Sequence, residues 1–187
     1  MNPLPPRLFP PVDYFATLTA GGDVDYGLRY NKRDKAVHRY EIIDVRGRMF
    51  LTVPLGKPHG IEHPTWADCP VSTHDRWWRR HRTALESAYG RTPFFEFIID
   101  RFNPVFRSPE EWHEWPSIID LIREANAVVL PLLGIGEMPG VARNVDGEEY
   151  WQVRSHIHGF QSGLSILDLI FNLGPEAALF LRSPNPK

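Results

Sequence analysis

The sequence predicts an α+β (or α/β) protein with a small N-terminal sheet and a helix-rich C-terminal half. A β-hairpin pattern lies at residues 38–55, where two runs rich in β-branched and aromatic residues flank Arg46–Gly47. Helical patterns of apolar residues dominate the chain from residue 74 onward. The 187 residues suffice for one core, and no repeat or low-complexity linker divides them, so we expect a single domain over residues 1–187.

The elements are expected in the following order. Pro10–Pro11 suit the first turn of a short helix, VDYFATLT, which Gly21–Gly22 end. The hairpin strands follow as HRYEIIDV and RMFLTVPL. Residues 56–73 are rich in proline and glycine and predict a long loop, a kind of segment that is often functional. The remaining expectations are helices at 74–89, about 94–103 and about 116–133, a strand at EYWQV (149–153), and a terminal pair of helices, LSILDLIFN and PEAALFL, around Gly174–Pro175.

Composition and charge exclude several classes of protein. The formal net charge of −2 argues against a protein whose main role is to neutralise phosphates, so a nucleic-acid partner is not expected. The only cysteine, Cys69, rules out an intrachain disulfide and agrees with a reducing compartment. The N-terminus lacks the pattern of a signal peptide, and the apolar run at 127–135 is too short to span a bilayer. We therefore expect a cytoplasmic protein without a membrane span.

The segment HDRWWRRHRTALESAY (74–89) predicts an amphipathic helix. On a helical wheel its apolar residues form one stripe, while Arg76, Arg79 and Arg80 lie on the other side. Base-stacking surfaces need exposed aromatics beside the cations, so the wheel favours a solvated arginine face. His81 interrupts the apolar stripe. It is either a core histidine bonded to a backbone carbonyl, or a desolvated neutral base at the floor of a pocket.

Two further sets of residues are candidates for chemistry. Asp168 and Asn172 share a polar edge of a mostly apolar helix, and the alternative for Asp168 is a capping box with Ser165. Tyr30, Lys32, His38 and Arg39 lead into the hairpin, where Lys32 and Arg39 could hold a phosphate or carboxylate; the alternative is ordinary surface charge.

No metal or cofactor is expected from the sequence. The spacing of His59, His63, Cys69 and His74 matches no zinc signature, and Gly159 follows directly after His156-x-His158, which would share one strand face. The chain has no glycine-rich phosphate loop and no Rossmann fingerprint.

Four segments together resemble the WbqC-like protein family. WWRRHRTALESAYGRTPFFEF resembles its Trp-x-x-His, Tyr, Pro-Phe-Phe signature, and QVRSHIHGFQSGLSILDLIFNLGPEA (152–177) resembles its ending. LFPPVDYFATL (8–18) is similar to its opening, and YNKRDKAVHRYEII with LTVPL matches its strand pattern more loosely. The chain departs from the family at His38–Arg39, where an Asn-Arg pair is expected, and between Gly134 and Tyr150, where the segment is short.

The resemblance implies a bacterial protein, and some family members accompany genes for surface polysaccharide synthesis. This context implies a transferase that moves an acyl or aminoacyl group onto an activated sugar, with an anionic substrate such as a nucleotide sugar or acyl donor. In that hypothesis His81 and Asp168 are catalytic, and the substrate-binding residues are Tyr30, Lys32, Arg39 and Asn172. It predicts that His81, Asp168, Lys32 and Arg39 border one pocket.

The alternative hypothesis is a non-catalytic binding or scaffold domain. Such a domain would use the histidine-containing loop at 56–74 and exposed aromatics, for which Trp66, Trp112 and Trp115 are candidates.

Overall fold

The computed structural model describes residues 3–136, 145 and 148–182, and it confirms the α+β class. Most of the segment between Gly134 and Tyr150, where a departure from the resembled family is expected, lies outside the described residues. The two strands are β1 (Arg39–Asp44) and β2 (Gly47–Thr52). The α-helices are α1 (Val12–Thr19), α2 (Trp77–Tyr89), α3 (Phe95–Ile98), α4 (Ile118–Leu132), α5 (Ser155–His158), α6 (Ile166–Leu173) and α7 (Glu176–Arg182). Short 3-10 helices cover Lys35–Val37, Trp66–Asp68, His74–Arg76, Ile99–Phe102 and Pro109–Glu111.

The hairpin forms where the sequence predicts it. Strands β1 and β2 pair in antiparallel register, with Tyr40 opposite Leu51 and Ile42 opposite Met49. The Asp44 carboxylate accepts a hydrogen bond from the Arg46 backbone N–H at 2.7 Å, which fixes the turn. Side chains alternate between the two faces of a strand, so Tyr40 and Ile42 point to one side of β1.

Both faces of β1 are covered by the rest of the chain. Helix α2 packs against β1, and Ile43, which alternation places opposite Ile42, is also buried. On the edge of β1 that does not pair with β2, the Ser165 backbone N–H donates to the Glu41 carbonyl at 2.8 Å. The strand is therefore tied to a segment that comes more than a hundred residues later.

Helix α6 is the centre of the core. Its apolar side chains from Ile166 to Phe171 are almost completely inaccessible to solvent, and α1, α2, α3 and α7 pack around the helix. The Phe171 ring lies 5.4 Å from the Tyr89 ring and 5.0 Å from the Phe95 ring, which joins α6 to α2 and α3. Burial of these side chains is the main force that holds the two halves of the chain together.

Gly174 makes the connection from α6 to α7. Its φ of 54° lies in the left-handed region, and a Cβ atom there would lie 2.4 Å from the Phe94 ring. Only glycine fits this position without strain. The expected break at Gly174–Pro175 is thus confirmed, and it has a steric reason.

The structure corrects several expectations. EYWQV is not a strand: these residues are irregular, and the Val153 N–H donates to the Asn172 side chain at 2.9 Å. His156 and His158 belong to the short helix α5, so they do not share a strand face. The helix expected near 94–103 divides into α3 and a 3-10 helix.

The long loop is also more ordered than its composition indicates. Gly56 donates to the Pro70 carbonyl at 2.8 Å, and Ile118 donates to the Cys69 carbonyl at 3.0 Å. Trp66, a candidate exposed aromatic, is 1% exposed and belongs to the core. In the described ranges, no helix has both the length and the apolar character needed to cross a membrane.

Candidate functional site

Helix α2 presents the face that its sequence pattern predicts. Its buried side chains lie on one stripe: Trp77, His81, Leu85, Ala88 and Tyr89. Arg79 and Arg80 are exposed. Arg82 pairs with Asp100 at 2.6 Å and also bonds Asn103, so its partner is not Glu86, the carboxylate one turn away on the same helix.

The chain enters α2 through two strained residues. Asp75 and Arg76 have φ values of 58° and 46°, in the left-handed region that costs ordinary residues about 1–2 kcal/mol each. The Asp75 carboxylate accepts a hydrogen bond from Arg80 at 3.0 Å and lies 3.5 Å from the Nε2 atom of His74. Strain of this kind concentrates at functional sites, where surrounding contacts maintain it.

A cavity of 760 Å³ lies between β2 and α2; we name it the α2–β2 groove. Its volume is within the range of small-molecule sites. Met49, Leu51 and Trp77 contribute apolar wall, and His81 lies among the lining residues. Asp75 and His74, beside the strained turn, also border it.

The groove carries an excess of positive charge. Arg46, Arg79 and Arg80 line it, and Asp75 is the only carboxylate among its lining residues. Arg46 is paired with Asp44 at 3.2 Å and Arg80 with Asp75, whereas Arg79 has no ion pair within the described part of the chain. A concave surface lined by cations attracts anionic ligands.

His81 lies beside the groove with a neutral ring, and both of its ring nitrogens have hydrogen-bond partners. Its Nε2 atom lies 3.2 Å from the Thr52 carbonyl, and its Nδ1 atom lies 3.1 Å from the Tyr40 hydroxyl. A carbonyl only accepts, so Nε2 carries the proton and Nδ1 accepts from Tyr40. Burial lowers the pKa of His81 to about 4, against the opposing effect of the Thr52 hydrogen bond. His81 is therefore neutral, borders the groove and contacts a backbone carbonyl, and its catalytic role stays a prediction.

Asp168 belongs to a different environment. Its Oδ2 atom accepts from the Tyr150 hydroxyl at 2.7 Å and from the Gln152 amide at 2.8 Å. Burial raises its pKa, and these hydrogen bonds oppose the rise. The buried Tyr89 hydroxyl lies close by without a hydrogen bond of ordinary geometry.

Asn172 completes the same network. Its amide donates to the Asp168 carbonyl at 2.7 Å, and its oxygen accepts from the Val153 N–H. Ser165 is the N-cap of α6 and accepts from Leu167 at 3.3 Å, while Asp168 turns to Tyr150 instead of closing a capping box. Together Asp168 and Asn172 hold the irregular segment at 150–153 on α6.

Tyr30 and Lys32 border a second, open cavity of 670 Å³. Three further cations, Arg33, Lys35 and Lys57, line it with Pro58. The Tyr30 ring packs edge-on against Trp66 at 4.9 Å. These two candidates therefore share a basic surface with each other, but not with His81.

Arg39 borders a third cavity, of 150 Å³, together with Arg7, Tyr40 and Phe50. Its guanidinium lies over the Phe50 ring at 4.1 Å. Arg39 and Tyr40 are neighbours on β1 and point to opposite faces, so the strand that brings Tyr40 to His81 turns Arg39 away. His81, Lys32 and Arg39 border three different cavities, and Asp168 borders none of these three.

The arginines and the strained turn that border the groove are not among the site residues predicted from the sequence. Arg79 and Arg80 were expected to be solvated surface charge, and they are exposed, but they also line a cavity. Nothing in the local sequence indicates that β2 and α2 border one cavity. The density of cations at the start of α2 was the one feature that could have indicated an anion-binding site.

No metal centre is evident in residues 3–136, 145 and 148–182, where no three His, Cys, Asp or Glu side chains converge. Cys69 is buried, and burial together with nearby Asp68 raises the pKa of its thiol to about 11. The thiol is therefore protonated at neutral pH, the state in which it is a poor nucleophile.

Comparison with known proteins identifies the family. The sequence profile of the WbqC-like protein family matches residues 6–148, which include α1, the hairpin, the groove and α4. No curated protein and no solved structure matches the chain. Since the family match covers most of the sequence, the chain belongs to the WbqC-like protein family.

Proposed function

We propose that the α2–β2 groove binds an anionic small molecule, of the class of nucleotide sugars or acyl donors. The observation that carries the proposal is the set of Arg46, Arg79 and Arg80 around a cavity of 760 Å³. Guanidinium groups bind phosphate and carboxylate through paired hydrogen bonds, which suits a ligand of this class.

The rest of the groove supports a ligand with an apolar or aromatic part. Met49, Leu51 and Trp77 form its walls, and the Phe50 ring borders it while 53% exposed. Ligand sites typically combine such walls with a few polar groups that fix orientation. The strained turn at Asp75 and Arg76 places the side chains of His74 and Asp75 at the rim of the groove. There these two side chains can contact the polar part of a ligand.

A matched set of variants tests the proposal. The double variant Arg79→Ser/Arg80→Ser should lose at least about tenfold in affinity for the compound that a panel of nucleotide sugars and acyl donors identifies in isothermal titration. Its free energy of unfolding should change by no more than about 0.5 kcal/mol, because both side chains are exposed. Arg101→Ser, an exposed arginine that borders none of the described cavities, is the control and should bind like the wild type. Wild-type protein that binds no compound of the panel, or a double variant that binds normally, would refute the proposal.

Group transfer at the groove is the second candidate function. The observation that favours it is the neutral His81 imidazole among the lining residues. In this mechanism the Thr52 carbonyl orients the ring through Nε2–H, and Nδ1 takes a proton from the acceptor amine after the Tyr40 hydroxyl gives up its hydrogen bond. The amine nitrogen bonds to the acyl carbon, the bond from that carbon to the donor's leaving group breaks, and the leaving group takes the proton from His81 as it departs. Asp168 has no part in it, because its carboxylate is held by Tyr150 and Gln152.

The variant His81→Gln separates the two candidates. A transferase should keep its ligand affinity and lose turnover by about 100-fold or more, the usual contribution of a general base. If the protein is a binding domain, His81→Gln should keep the wild-type affinity, and neither protein should form product. Measurement of affinity and of product formation on the same protein sample distinguishes these outcomes.

A further inference from the structure

We propose that the cavity of 150 Å³ beside β1, which we name the Arg7–Arg39 pocket, is a binding site for one phosphate group. The pocket is formed by the N-terminal segment, β1, β2 and the chain just before α6. It shares Phe50 with the α2–β2 groove but none of the groove's arginines, and the inference does not depend on the function proposed for that groove.

Two arginines line this pocket without an anionic partner among the described residues. Within the described residues, neither Arg7 nor Arg39 forms an ion pair or a side-chain hydrogen bond. The Nε atom of Arg7 is buried and unpartnered, and the guanidinium of Arg39 is stacked on Phe50 at 4.1 Å. Two like charges that border the same small space repel each other, and an anion in the pocket removes this repulsion.

Glu41 is the only carboxylate among the described residues that line the pocket, and it is already paired with Arg48. Glu41 accepts two hydrogen bonds from the Arg48 guanidinium, at 3.0 and 2.7 Å. This bidentate arrangement is the strongest geometry available to the pair. Glu41 therefore neutralises Arg48 and leaves the charges of Arg7 and Arg39 for a ligand.

The size of the pocket indicates a single ionic group. A volume of 150 Å³ holds about five water molecules at about 30 Å³ each, well below the 300–1,000 Å³ of whole-ligand sites. Phosphate carries about −1.5 to −2 charges at pH 7 and offers three strong acceptor oxygens, which match two planar guanidinium groups. A carboxylate supplies a single charge and leaves one guanidinium without compensation.

The phosphate group has two sources to compare, free inorganic phosphate and the phosphate of a nucleotide. We would titrate inorganic phosphate and a nucleoside diphosphate separately, by calorimetry at about 0.15 M ionic strength, where long-range surface attraction is screened. Tight binding of inorganic phosphate alone assigns the site to the free ion. Binding of the nucleotide alone, with the same dependence on Arg7 and Arg39, assigns it to the phosphate of a larger ligand.

The variants Arg7→Gln and Arg39→Gln should each weaken binding by at least about tenfold, because each removes charge-assisted hydrogen bonds. The control Arg101→Gln should bind like the wild type. Binding at this pocket is read from the amide signals of Gly163 and Ser165, which line the Arg7–Arg39 pocket and not the α2–β2 groove. Arg39→Lys keeps the charge without the planar fork, so we expect an affinity between those of the wild type and Arg39→Gln.

The proposal is overturned if neither anion binds, or if Arg7→Gln and Arg39→Gln bind as well as the wild type. Should the glutamine variants fail to fold, amide chemical shifts of Gly163 and Ser165 in the wild-type protein provide the deciding measurement, since both residues line the pocket. Phosphate that leaves these two amide signals unchanged would equally overturn the assignment.

Discussion

His81 makes the stability of this protein depend on pH. Its ordinary pKa of 6.5 falls to about 4 in the folded chain because burial disfavours the charged ring. Between these values the unfolded chain binds a proton that the folded chain does not, so stability falls as the pH drops from 6.5 towards 4. The loss attributable to this residue is about 3 kcal/mol at most.

The variant His81→Gln should show a shallower pH dependence, because glutamine does not titrate. Urea unfolding of both proteins at several pH values between about 7 and 4.5 measures the difference in slope. The pKa of His38 is lowered for the same reason, so the variant should retain part of the dependence. Identical slopes for the two proteins would mean that His81 is not the buried neutral group described.

Asp168 allows a structural role to be separated from a catalytic one. Asp168→Ala leaves the Tyr150 hydroxyl and the Gln152 amide without an acceptor, and we expect a loss of about 1–3 kcal/mol in the free energy of unfolding. Asp168→Asn keeps a carbonyl oxygen and removes a buried charge, so its loss should be smaller. Chemical denaturation of both variants checks this order; a catalytic Asp168 would instead appear as lost turnover in a fully stable Asp168→Asn protein.

At the scale of elements, the strained start of α2 predicts a substitution that increases the free energy of unfolding. Arg76 has a φ of 46°, a conformation that glycine adopts without penalty. Arg76→Gly should therefore stabilise the protein by about 1 kcal/mol. The same change at Arg79, inside the helix, should destabilise it by about 1 kcal/mol. If thermal unfolding shows both variants destabilised to the same extent, Arg76 is not strained.

Elements with a strong local pattern were predictable from the sequence. The hairpin follows from two alternating runs around Arg46–Gly47, and α2 follows from an apolar stripe that includes His81. The stretch at 149–153 has the composition of a strand, but its backbone is held by the side chain of Asn172 and not by a neighbouring strand. Such a partner comes from tertiary structure, so local propensity gives no sign of it.

The candidate site was predictable only in part, and for a similar reason. His81 was found because a polar residue in an apolar stripe is visible in one helix. Arg39 could have been separated from it by strand alternation, since Tyr40 is its neighbour on β1. The contribution of Arg46 could not be foreseen, because it depends on how the hairpin packs against α2.

At the scale of the whole molecule, the fold depends on a helix beyond the family match. The match ends at residue 148, whereas α6 supplies the centre of the core. Each of its five fully buried apolar side chains contributes about 1.5–3 kcal/mol, and their sum is comparable to the entire stability of an ordinary domain. These side chains are Ile166, Leu167, Leu169, Ile170 and Phe171.

A fragment of residues 1–148 should therefore fail to fold. We expect it to show no cooperative urea transition and no dispersed amide spectrum, while the full chain shows both. A cooperative transition in the fragment would mean that the N-terminal part has a core of its own, contrary to the packing of α1, α2 and α3 on α6.

The bond between Ser165 and the edge of β1 has a consequence for the protein as it is made. A ribosome adds about 5–20 residues per second, so β1 emerges on the order of ten seconds before its partner segment. During that interval the nascent hairpin has an open edge and an uncovered Ile43, the features through which strands of different chains associate. Strand β1 can complete its native contacts only after residue 165 has left the ribosome, and until then nascent-chain chaperones can act on the N-terminal hairpin.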